Sequence, residues 1–170
     1  MDYSEDLHEA ALAALSRRAL TAAELRSRLA RRKHPKAQGE ACVRKLAAVG
    51  LVDDRRLAYN FALGCAQLGR RGPARVRAAL LARGVPAAVA DAAVAEAFPP
   101  AARGAALERA VRRLVGGRGV PADRRGRERL IRQLRRSGFS FAEVLALLET
   151  HGLSADELPA LAEDDEHAVE

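Results

Sequence analysis

The chain of 170 residues has no tryptophan, two tyrosines, four phenylalanines, two cysteines and only three lysines. Cys42 and Cys65 are spaced neither as CxxC nor as a paired framework, which excludes a disulfide scaffold and a thiolate zinc site; they read as small core residues of a reduced protein. Six aromatics are too few for a platform of stacked bases, so sequence-specific reading of single strands is disfavoured. No run of about 18 uninterrupted apolar residues occurs, and the N-terminus MDYSEDLHEA opens acidic, without an apolar signal region. The expectation is a cytoplasmic protein with no membrane partner. The length excludes a large multidomain enzyme.

Catalytic constellations are missing as well. Lys33, Lys36 and Lys45 follow Arg, Pro and Arg, so none closes a phosphate-binding Gly-Lys-Ser/Thr loop. His8-Glu9 begins the HExxH zinc pattern, but Leu12 stands where the second histidine belongs. There is no GxSxG elbow, and neither cysteine has a histidine beside it in sequence. The expectation is a non-enzyme with no catalytic residue, no cofactor and no metal.

What the chain does contain is 38 Ala and 23 Leu against 13 Gly and 7 Pro, a composition of helix formers that predicts an all-α protein. Lys and Arg total 29 against 22 Asp and Glu, and 26 of the bases are arginine. A guanidinium fork suits bidentate contact with phosphate or carboxylate, although a GC-rich genome explains an Arg excess equally well. The charges are also segregated. Residues 155–170 hold seven acids and no Lys or Arg, so residues 1–154 carry 29 bases against 15 acids, a net charge of +14. Such a body favours a polyanionic partner. The acidic tail serves solubility, or screens the basic surface in cis.

Helix boundaries are written locally. Thr21-Ala-Ala-Glu24 and Ser140-Phe-Ala-Glu143 are capping boxes, each with a hydrophobic staple, Leu20 with Leu25 and Phe139 with Val144. Gly50, Gly84, Gly138 and Gly152 each follow a helical run and precede an apolar residue, the pattern of a Schellman end. Leu25, Leu29 and His34-Pro35 match Val76, Leu80 and Val85-Pro86 at an offset of 51; these match Leu130, Leu134 and Phe139-Ser140 at an offset of 54. The period predicts three tandem three-helix repeats resembling helix-turn-helix units, stacked as an elongated curved rod. Their bounds are 1–52, 53–99 and 100–153, followed by an acidic tail over 154–170 that lacks regular structure. Helices are expected at 6–17, 22–33, 36–49, 54–68, 73–83, 86–97, 101–115, 124–137 and 141–151. The longest connection, 116–123, reads as an ordinary surface loop, with a flexible joint as the alternative.

Candidate binding residues are arginines. Residues 103–136 contain twelve Arg against Glu108, Asp123 and Glu128. At about 100° per residue, Arg125, Arg129, Arg132 and Arg136 fall within a sector about 60° wide, opposite Leu130 and Leu134, and form a stripe roughly 16 Å long. Glu128, four residues before Arg132, is placed to neutralise part of it. Gly69-Arg70-Arg71-Gly72-Pro73 opens another helix, with Arg75 and Arg77 flanking its apolar stripe, and the amides after Pro73 form a weak anion site. The plain alternatives are a solvated outer face and a well-started turn.

The run from Gly50-Leu-Val-Asp-Asp54 to Ala58, followed by Gly72-Pro-Ala-Arg-Val-Arg77, Leu80 and Arg83-Gly-Val85, resembles the central signature of RecX, a bacterial regulator of the recombinase RecA. Arg129-Leu-Ile-Arg132 through Arg136-Ser-Gly-Phe-Ser140 resembles the third-repeat signature, and Ser16-Arg-Arg-Ala-Leu-Thr21 with Glu24-Leu-Arg26 and Leu29 resembles the first. The resemblance covers residues 5–152. It implies three tandem three-helix repeats and a cytoplasmic non-enzyme that binds along the groove of the RecA filament on single-stranded DNA, lowers its ATPase, strand-exchange and coprotease activities, and in some members contacts DNA itself. The further expectations are a monomer and contact with single- or double-stranded DNA. It carries binding to Arg75, Arg77 and Arg83, and to Arg129, Arg132 and Arg136, and leaves Gly72, Pro73, Gly84 and Gly138 as structural. Lys33-His34-Pro35 departs from the usual Lys-Gly turn of the first repeat, and the acidic tail has no counterpart in the pattern. The competing reading is a helix-turn-helix DNA-binding protein acting without RecA.

Overall fold

The computed structural model describes residues 3–31 and 34–152. Among these, all regular structure is helical: α1 (Glu5–Leu15), α2 (Ala22–Ala30), α3 (Lys36–Ala48), α4 (Asp54–Leu68), α5 (Pro73–Ala82), α6 (Ala87–Ala97), α7 (Pro100–Val115), a 3-10 turn at Gly116–Arg118, α8 (Arg124–Arg136) and α9 (Phe141–Thr150). The fold is all-α, as the composition requires. The acidic tail over 154–170, expected to lack regular structure, lies outside the described residues.

Both capping boxes form. Thr21 Oγ1 accepts from the Glu24 amide at 3.0 Å while Glu24 accepts from the Thr21 amide at 2.9 Å. Ser140 and Glu143 make the same reciprocal pair at 3.2 and 3.0 Å. The stop signals also hold, because glycine alone enters the left-handed region without a Cβ penalty. Gly50, Gly84 and Gly138 have φ of 74°, 76° and 94°. The amides of Leu51, Val85 and Phe139 then reach back to the carbonyls of Leu46, Leu80 and Leu134 at 2.9, 3.1 and 3.2 Å. Most helix ends fall within one residue of expectation, but α2 stops at Ala30, three residues short of the expected end at 33, and α1 stops two short of 17. Ser4 caps α1, which starts at Glu5, one residue before expectation, and the 116–123 connection contains the 3-10 turn.

The contacts divide the chain into two compact units. One consists of the chain up to Phe61 together with Arg77–Glu96, the other of Ala62–Val76 together with the chain from Ala97 on. In the first unit α1, α2 and α3 bury Leu7, Leu25, Leu29, Val43 and Leu46, with Cys42 among them. In the second, α7, α8 and α9 pack pairwise on Leu107, Ile131, Leu134, Val144 and Leu148, all 1% exposed or less. Burial raises the pKa of both thiols, Cys42 and Cys65, as a small apolar setting demands.

Candidate nucleic-acid interface

The second unit presents the charged face of α8. Asp123 starts this helix by accepting from the Gly126 amide at 2.8 Å. Leu130, Ile131 and Leu134 face inward and are buried, so the helical period turns Arg125, Arg129, Arg132 and Arg136 outward, and all four are exposed. None of these four guanidinium groups has a partner among the described residues. Glu128 does not neutralise Arg132. It accepts from Arg124 at 3.0 Å, one turn the other way, which leaves the stripe uncompensated. Arginines stand both four before and four after Glu128, and spacing alone does not choose between them.

Four other arginines of this basic region, Arg103, Arg109, Arg112 and Arg113, are engaged in the fold. Arg109 and Arg113 of α7 donate to the carbonyls of Ala66 and Gly69 at 3.2 and 3.0 Å and so close the C-terminal end of α4. Cations at a helix C-terminus satisfy its orphan carbonyls and complement its dipole. Arg103 donates to the Phe98 carbonyl at 3.0 Å and lies 3.8 Å from Glu143. Arg112 pairs with Glu108 at 3.4 Å.

Arg75 plays the same part for α8, donating to the Arg136 carbonyl at 3.2 Å. The amides of Gly72 and Ala74 donate to the carbonyls of Ser137 and Gly138 at 2.6 and 3.2 Å. The second bond reduces the expected anion site after Pro73: its first amide, that of Ala74, already serves the end of α8. The approach is so close that a Cβ on Gly72 would collide with the Gly138 carbonyl, and one on Gly138 with the Arg75 backbone.

Beside this junction lies a groove of about 800 Å³ lined by Pro73, Ala74, Arg103, Arg132, Arg135 and Arg136 and by the turn into α9, Gly138–Phe141 with Glu143. The Arg135 guanidinium sits 5.8 Å from the centre of the Phe141 ring. Arg70 and Arg71 are exposed in the turn between α4 and α5, where their charge partly offsets the burial that raises the Cys65 thiol.

In the first unit, Arg77 and Arg83 have acidic partners that the sequence did not reveal. Arg77 bonds Asp91 at 2.5 and 3.3 Å, raising its own pKa and lowering that of Asp91. Arg83 grips Glu24 in bidentate fashion at 3.0 and 2.9 Å, and its carbonyl accepts from the Thr21 hydroxyl at 2.7 Å. The Arg83 hydrogen bond holds the Glu24 carboxyl at about 2, with the Thr21 amide and Arg18 adding to it against the opposing effect of burial. Asp54 completes this cluster by accepting from the Ala22 amide at 2.8 Å, capping α2 from the start of α4. His34, at the unusual turn, bonds Asp6 at 3.0 Å.

Among the described residues there is no group of three His, Cys, Asp or Glu placed to hold a metal ion, and no helix long and apolar enough to cross a membrane. The surface can attract polyanions through fixed cations.

Residues 53–94 match the family model of the second three-helix domain of RecX. The chain is 38% identical over 143 residues to the regulatory protein RecX of Halorhodospira halophila, covering 84% of this chain and 86% of that protein. It is similar in fold to the crystal structure of RecX from Lactobacillus salivarius, with a TM-score of 0.75 at 17% identity, over 88% of this chain and 96% of that one. A second crystal structure of a regulatory protein RecX gives a TM-score of 0.71 at 20% identity, over 85% and 70% of the two chains.

Proposed function

The chain belongs to the RecX family of regulatory proteins, and on that premise we propose that it binds the RecA filament on single-stranded DNA and lowers its ATPase, strand-exchange and coprotease activities. The observation that carries this reading is the row of Arg125, Arg129, Arg132 and Arg136, four exposed guanidinium groups on one helix face without acidic partners among the described residues. At roughly 16 Å the row spans several phosphates of a backbone or a row of carboxylates on a protein. The protein acts by binding, without chemistry of its own. A ligand shifts an equilibrium only through unequal affinity, so inhibition follows if this surface fits an inactive or disassembling filament better than the active one. Arg70 and Arg71 extend the basic surface. Three three-helix repeats, at residues 1–52, 53–99 and 100–153, are the organisation we assign to the chain, and the match of the second family domain to residues 53–94 supports the middle one.

The test is RecA's DNA-dependent ATP hydrolysis with this protein added below stoichiometric amounts, at near-physiological salt and with excess competitor duplex. A marked fall in hydrolysis is expected. Unchanged hydrolysis, together with direct DNA binding whose affinity drops steeply with salt, would overturn the reading in favour of a DNA-binding protein acting alone.

A further inference from the structure

The groove beside α8 combines two characters that a bare phosphate backbone does not use together. Arg132 and Arg136 supply cations without partners among the described residues, while Pro73 and Phe141 supply partly exposed apolar surface. The one carboxylate lining it among the described residues, Glu143, is directed to the Ser140 amide of its capping box and to Arg103. The groove therefore fits an extended segment that carries apolar residues and several acids in close succession.

The chain contains such a segment. Leu158 and Leu161 are followed by Glu163, Asp164, Asp165 and Glu166, and no Lys or Arg occurs between residues 155 and 170. The distance is within reach. α9 begins at Phe141 on the groove and ends at Thr150, about 15 Å away at its rise per residue. The 18 residues from 153 to 170 can span up to roughly 60 Å. Tethering at that range gives a local concentration on the order of millimolar, enough for a weak charged contact to be populated.

We propose that residues 158–166 dock in cis into the groove lined by Arg132, Arg136, Pro73 and Phe141, so that the chain screens its own binding surface until a stronger polyanion displaces them. The proposal rests on the α8 stripe being the functional surface. It makes the acidic segment a competitor of the filament: occupancy by one excludes the other, and salt weakens the docking through screening of the exposed charges.

The experiment uses the full chain with p-benzoylphenylalanine in place of Leu161 and maps intramolecular photo-cross-links by mass spectrometry. Cross-links to peptides spanning residues 129–143 are expected, lost in R132A/R136A and at about 1 M salt, where the Debye length is about 3 Å. In parallel, E163Q/D164N/D165N/E166Q should inhibit RecA's ATP hydrolysis at about tenfold lower concentration, equivalent to 1.4 kcal/mol. Cross-links elsewhere, or none, would overturn the docking while leaving inhibition by the native chain intact. Failure of the filament reading looks different: neither the native nor the tail-neutralised chain changes hydrolysis, whatever the cross-links show.

Discussion

Arg83, just beyond α5 in the first unit, and the four outward arginines of α8 in the second are the same residue type in opposite surroundings. Arg83 meets Glu24 with two hydrogen bonds and lies beside a buried threonine, so its charge is consumed in holding α2 to the end of α5. Arg125, Arg129, Arg132 and Arg136 meet no acid among the described residues, because Glu128 turns to Arg124 and Glu143 to Arg103. An arginine's availability is therefore decided by where the acids fall in the tertiary structure. Among the described residues the acids are distributed so that the clasp is compensated and the stripe is not.

That contrast can be broken in order of effect. Reversing the stripe with R129E/R132E/R136E should weaken filament binding by about two orders of magnitude, since each lost cation becomes a repelling anion. Circular dichroism should show unchanged helical content; retained binding by the folded triple mutant would sink the assignment. Gly138→Ala should destabilise the second unit by about 2–4 kcal/mol, from a left-handed backbone at φ 94° and a collision with Arg75. Urea denaturation measures this, and a change under about 0.5 kcal/mol would mean the junction of α5 and α8 relaxes freely.

Arg83→Ala should cost about 1–2 kcal/mol of stability by leaving Glu24 without its main partner. Filament binding should fall no further than that loss of fold explains; a larger fall would return Arg83 to the contact surface. The same clasp predicts an acid dependence. Glu24 titrates at about 2 in the folded chain against 4.5 ordinarily, so folding favours its ionised form. Its contribution is complete above the ordinary value and is lost as pH falls from there towards about 2. Glu24→Gln should flatten the stability–pH profile in that window, and an unchanged profile would refute the clasp. The smallest effect is expected for Arg124→Ala, which removes an exposed i,i+4 pair worth about 0.3–0.5 kcal/mol. It also frees Glu128 to turn towards Arg132, so a modest loss of binding accompanies a near-neutral change in stability.

Several of these residues were legible before any coordinates. The starts of α2 and α9 and the ends of α3, α5 and α8 were readable because a capping box or a Schellman turn lies within about six residues, and local geometry needs no tertiary partner. The α8 stripe was readable for the same kind of reason: helical periodicity places Arg125 to Arg136 opposite Leu130 and Leu134. The direction of Glu128 was not readable, nor was the occupation of the Ala74 amide by the end of α8. Both depend on which of several equally spaced groups comes closest once the helices pack.

By itself, then, the sequence determined an all-α chain of capped helices, two inert buried thiols and a helix with one cationic face. These follow from composition and from interactions spanning a turn or two of chain. Only the tertiary structure decided that Glu24 binds Arg83 59 residues away, that Asp54 caps α2, and that Arg75, Arg109 and Arg113 close the ends of other helices. A helix end exposes carbonyls and amides that any nearby side chain of the right charge can satisfy, and packing alone selects which one arrives.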